Sequence, residues 1–84
     1  MGRKRLTVAQ RKTIILDAAV KCVEQYGDMG LTHGNVAKWA SMSVETSEST
    51  VRRYFGSWDE LATATTGHPN CPKSFRDYVT RLGQ

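Results

Sequence analysis

The stretch Ser47-Glu48-Ser49-Thr50-Val51-Arg52-Arg53-Tyr54-Phe55 gathers hydroxyls, guanidinium groups and a phenol, the groups with which a protein holds an anion or hydrogen-bonds a planar base. Ser47 can accept from the backbone N–H two or three residues on and so fix a helix start, with Glu48 and the open N–H groups at the positive end of the dipole. Val51 and Phe55 then lie four apart on one face, suited to burial, while Ser49, Arg52 and Arg53 project elsewhere. The pattern is that of a recognition helix, held on one side and reading duplex DNA with the other. An arginine forked onto guanine O6 and N7 is the favoured specific contact, so Ser49, Arg52 and Arg53 are the expected base readers. Thr32, His33, Ser47, Thr50 and Tyr54, with Arg3, Lys4 and Arg5 near the start of the chain, are the expected phosphate contacts. Glu48 is assigned to the helix cap, with cytosine reading as its alternative.

Other chemistries find weaker support. His68-Pro69-Asn70-Cys71 has the form of half a metal site, but a structural zinc takes four ligands and no second pair at matching spacing exists. No metal or other cofactor is expected. Cys22 falls on an apolar helix face, where a free cysteine behaves as a small hydrophobe, and Cys71 sits in a loop between prolines, so reduced thiols are the default. Without paired carboxylates, a nucleophile with its base or a phosphate loop, an enzyme is the least expected class.

The elements that must position these groups are helices, and the expected fold is all-α, a small bundle of about four to five helices containing a helix-turn-helix. Thr7-Val8-Ala9-Gln10 has the form of a capping box and opens a helix over 8–26, with Ile15, Ala18 or Ala19, Cys22, Val23 and Tyr26 on its apolar face. Gly27 fits a left-handed helix end, and Gly30 suits a second sharp turn. Leu31 enters the core and Thr32 caps a second helix, from about His33 to Met42, with Val36, Ala37 and Ala40 inward and Trp39 as a further candidate. By itself that segment is a packed amphipathic helix; it becomes part of a helix-turn-helix only with Ser47 to Phe55 behind it. Ser57-Trp58-Asp59-Glu60 is a second capping box and opens a helix to about Thr66, and the breaker cluster from Gly67 to Pro72 ends it. A last helix then carries Phe75, Tyr78, Val79 and Leu82 on one face. That stripe has two open fates, closure of the core or pairing with a second copy. The chain divides accordingly into a basic arm (1–7), the DNA-binding domain (8–66) and a terminal loop and helix (67–84).

Composition bounds these readings. A chain of 84 residues forms one small domain, and such a domain buries only about 60% of the surface its unfolded chain exposes. A pocket of about 300–1,000 Å³ for a small-molecule ligand is not expected beside so small a core. The net charge of +4, with Arg3, Lys4, Arg5, Arg11 and Lys12 and no acid near the start, suits a polyanion. The same basic terminus is equally compatible with a solvated tail that orders on phosphate. No apolar run approaches a membrane span or the apolar part of a signal peptide, so a cytoplasmic location is expected.

The spacing of Ser47, Thr50, Val51, Tyr54, Phe55, Ser57, Asp59, Glu60 and Leu61 resembles the recognition helix and following helix start of the TetR family of bacterial repressors. Upstream, Gly27, Leu31-Thr32, Val36-Ala37 and Ala40 are similar to the same family's preceding segment, and the likeness spans residues 11–64. The resemblance implies a TetR- or homeodomain-like head in which Thr50 and Tyr54 occupy phosphate-contacting positions and the segment after Ser47 the base-reading ones. Arg52 stands where the family has an aromatic, Tyr54 where it has histidine, and Trp58 where it has a lysine that touches phosphate. Ser41 to Val44 are extra residues between the two helices, so either the second helix is longer or the turn is wider.

The function expected from these residues is a sequence-specific regulator of transcription, most simply a repressor that blocks polymerase at an inverted-repeat operator. Its copies would pair weakly through Phe75, Tyr78, Val79 and Leu82, aided by Trp58 or Trp39 if exposed. The competing class is a small phage or plasmid factor that uses the same fold to bind a host protein. Neither reading calls for a membrane or a small-molecule ligand.

Overall fold

The computed structural model describes residues 7–83, which form helices and connecting turns with no strand among them. In chain order the helices are α1 (Val8–Tyr26), α2 (His33–Ala40), α3 (Glu48–Tyr54), α4 (Trp58–Thr66) and α5 (Lys73–Leu82), and a 3-10 turn, Asp28–Gly30, follows α1. None of the helices among the described residues is long and apolar enough to cross a membrane. The arm residues Arg3, Lys4 and Arg5 lie outside the described residues.

The starts of α1 to α4 each follow from a side chain that satisfies backbone N–H groups the helix cannot pair internally, whereas α5 opens after Pro72 with no side-chain cap. Thr7 and Gln10 form the reciprocal box, with Thr7 N donating to Gln10 Oε1 at 2.8 Å and Gln10 N to Thr7 Oγ1 at 3.1 Å. Thr32, Ser47 and Ser57 each accept from the N–H three residues on. The box expected at Ser57 closes differently, because Glu60 Oε2 accepts from Gly56 N at 3.0 Å, one residue further back than the cap. At the end of α1, Gly27 has φ +83° with an extended ψ of −174°, a region open essentially to glycine alone. Gly30 serves space instead of a left-handed turn: a Cβ there would lie 2.2 Å from the Cβ of Tyr26.

The long α1 is the central element and packs against both α2 and α4, while α2 packs on α3 and α4 on α5. Its buried set, Ile15, Ala18, Ala19, Val20, Cys22 and Val23, is wider than a single stripe because two sides are covered. Both alanines are therefore buried, and so is Val20, which lines a surface cavity of about 460 Å³ with Asp17, Lys21, Glu24, His68 and Asn70. The loop after α4 covers that flank. Its His68 Nε2 donates to Asp17 Oδ1 at 2.5 Å, its Nδ1 accepts from Asn70 N, and Arg76 holds the His68 carbonyl. Tyr26, expected inward, is 52% exposed; it lies past the end of the core and meets Trp39 edge to face at 6.4 Å.

The core is completed by Leu31, Val36, Ala37, Ala40, Val51, Phe55, Leu61, Ala62, Cys71 and Phe75. Cys71 is thus an interior residue as well as a loop residue. Cys22 and Cys71 are free thiols, and burial pushes Cys22 up to about 11. The terminal stripe divides between its two expected fates: Phe75 is fully buried, Tyr78 and Val79 are half-buried, and Leu82 is 55% exposed.

Candidate functional site

The stretch from Ser47 to Phe55 forms a capped helix, α3, over Glu48–Tyr54. Ser47 adopts an extended backbone and caps α3, with its hydroxyl 3.4 Å from Thr50 N and 3.3 Å from Thr50 Oγ1. Val51 and Phe55 are buried, and Tyr54 packs half-buried against the core. Ser49, Arg52 and Arg53 are exposed. The helix is seven residues long, and an isolated helix shorter than about 12–15 residues is marginal in water, so its geometry depends on this docking.

The segment between α2 and α3 settles which alternative the extra residues serve. The second helix ends at Ala40 rather than Met42, and the connection is the longer part. Its backbone still follows hydrogen-bonded turns, with Ser41 N donating to Ala37 O, Ser43 N to Ala40 O and Val44 N to Ala40 O. Met42 is consequently 73% exposed beside the helix end.

His33 requires a correction. It is 5% exposed, and its Nε2 lies 2.7 Å from the carbonyl oxygen of Phe55, so the ring carries its hydrogen on Nε2 and donates it inward. It is a tie between the start of α2 and the end of α3, not a phosphate contact. Thr32 beside it is exposed and accepts from Asn35 N at 3.0 Å, which leaves its hydroxyl hydrogen to donate outward. The exposed Thr32, Ser49, Arg52 and Arg53, with Ser47 and the partly exposed Thr50 and Tyr54, thus come from α3 and the two cap positions.

Two further side chains hold the turn before α2. Asn35 Nδ2 donates to Gly30 O at 2.9 Å, and Trp58 Nε1 donates to Leu31 O at 2.7 Å. Trp58 is therefore a structural donor. Trp39 is also partly buried, with its Nε1 3.3 Å from the Tyr26 hydroxyl.

Glu48 does not cap its helix. Its Oε2 accepts from both Nε and Nη2 of Arg52, at 3.0 and 2.9 Å, an ion pair one turn apart on the exposed face. The i,i+4 order of acid before base was visible in the sequence and is the favourable one on a helix. What was not visible is its neighbour on α2, where a Cβ on Gly34 would lie 3.2 Å from Glu48 Oε1. Among the described residues no group of three or more His, Cys, Asp or Glu side chains is placed to hold a metal ion. No family model, curated protein or solved structure matches the chain.

Proposed function

We propose that the chain is a sequence-specific duplex-DNA-binding regulator of transcription that reads bases from the exposed face of α3 in the manner of a TetR-type head, most simply as a repressor. The observation that carries this reading is the two-sided character of α3. Val51, Phe55 and the Ser47 cap fix one side, and Ser49, Arg52 and Arg53 stand on the other with both guanidinium groups exposed. The exposed Thr32 hydroxyl and the mutually bonded Ser47–Thr50 hydroxyl pair at the start of α3 offer donors for phosphate oxygens. The positive net charge supplies a favourable field for the approach of a polyanion.

The test is selection of bound duplexes from a random pool, followed by titration of Arg52→Ala and Arg53→Ala on the preferred sequence. Adjacent helical residues point about 100° apart, so one can face the groove floor while the other reaches the backbone. At least one substitution should cost about 1–3 kcal/mol and relax choice at one base pair. Uniform weakening on all duplexes by both, or no duplex enriched at all, overturns the reading.

A further inference from the structure

The Glu48–Arg52 pair is exposed, and exposed pairs contribute little to stability. Its geometry has a more specific effect. A guanidinium group has five N–H donors; Glu48 Oε2 takes one from Nε and one from Nη2, which leaves both hydrogens of Nη1 and the second of Nη2. Those remaining hydrogens include the parallel pair along the Nη1–Nη2 edge, the fork that matches guanine O6 and N7. The carboxylate therefore occupies the inner edge of the guanidinium while leaving the reading edge intact. It also restrains the arginine's rotatable bonds before any ligand arrives, so less ordering remains to be done on binding.

Glu48 Oε2 accepts from Arg52, while Oε1 lies near the first turn of α2, where a Cβ on Gly34 would come within 3.2 Å of it and oblige the carboxylate to shift by a few tenths of an ångström. A carboxylate on this face also repels phosphate, lowering affinity for every duplex while favouring the one that engages the arginine, which is how discrimination gains over general attraction.

We propose that Glu48 is a specificity-determining positioning residue: seated against Gly34, it presents the outer edge of Arg52 to a guanine. This rests on the reading of α3 as the base-reading helix. The experiment measures wild type, Arg52→Ala, Glu48→Ala, the double variant and Gly34→Ala on the preferred duplex and its single-base-pair variants. Arg52→Ala identifies the base pair. Glu48→Ala should then lower the preference at that same pair by about tenfold or more, with binding to mismatched duplexes unchanged or tighter. The double variant should discriminate no less than Arg52→Ala alone, and Gly34→Ala should shift preference in the same direction by less. In the free protein the Arg52 Nε–H resonance should be protected from exchange and lose that protection in Glu48→Ala, whose melting temperature should be nearly unchanged. If Glu48→Ala keeps or sharpens the preference that Arg52→Ala removes, Glu48 is a bystander or a mask and the inference is overturned. If wild type has no preference, or Arg52→Ala leaves every preference intact, the reading of α3 through Arg52 fails and takes the inference with it.

Discussion

The buried or part-buried polar groups of His33, Trp58 and Thr65 are met by backbone carbonyls, and the first two of these were the hardest residues to read. His33 sits in the first turn of a helix, a position that suits a polar surface residue; its burial depends on the Phe55 carbonyl, 22 residues away in sequence. Trp58 is comparable, since its N–H finds Leu31 O across 27 residues. The Ser47 cap and the burial of Val51, by contrast, were legible because cap and face are set within one or two turns of the same helix. Cys22 was legible as an apolar-face residue, and its burial has a measurable consequence. Burial raises its thiol from 9.0 to about 11 and raises Cys71 as well, the latter opposed by the Arg76 guanidinium. The folded chain keeps the Cys22 proton where the unfolded chain has begun to lose it, so this contribution to stability is whole below pH 9.0 and is lost as pH rises towards about 11. The amount is about 3 kcal/mol at most. Urea unfolding of wild type and Cys22→Ala at pH 8, 9, 10 and 11 should show the stability difference between them shrinking across that interval. A difference that stays constant would show that the thiol titrates alike in both states.

The starts of α1 to α4 were the most legible elements, because each rests on a hydroxyl placed three residues before the N–H it satisfies, while α5 opens after Pro72 without one. Ends were less so. The second helix stops at Ala40 although the following hydroxyl-rich residues continue turning, and nothing in their composition separates a helical turn from the reverse turns found there. The wide burial of α1 was hidden for a different reason: one-face periodicity cannot announce that a loop from residues 67–72 will cover Val20 on the other flank. The two glycines after α1 can be separated by experiment. Gly27 holds a positive φ in open space, so Gly27→Ala meets only backbone strain, about 1–3 kcal/mol. Gly30→Ala places its methyl against the Cβ of Tyr26, which no side-chain rotation can move, so the turn itself must shift. Gly30→Ala should therefore cost about 2 kcal/mol or more. Thermal melts of both, with Tyr26→Gly combined with Gly30→Ala, provide the check: removing the Tyr26 side chain should offset part of the Gly30→Ala loss and none of the Gly27→Ala loss.

At the scale of the molecule, the apolar stripe of α5 is divided along its length. Phe75→Ala should unfold much of the population, since removing a buried phenylalanine costs about 3–5 kcal/mol. Leu82→Glu should leave the melting temperature nearly unchanged, because its side chain is more than half exposed. If copies pair on an inverted repeat, Leu82→Glu should also remove cooperative occupancy of the full site and leave half-site binding, as a gel-shift titration would show. One-to-one binding by the wild type on its preferred full site would leave the stripe with a packing role alone. The short helices also share a common anchorage. Three side chains, Asn35, Trp58 and His33, tie residues 30–33 and the end of α3 into one knot across separations of 5, 27 and 22 residues. Helices of seven to nine residues would ordinarily open and close independently of one another, each on its own clock. Knotted in this way they should open together. In native-state hydrogen exchange the Val51 and Phe55 amides, which donate to Ser47 O and Val51 O, should then exchange with the same opening free energy as the amides at the centre of α1. His33→Ala should uncouple them, giving α3 a faster rhythm of opening than the α1 scaffold that carries it.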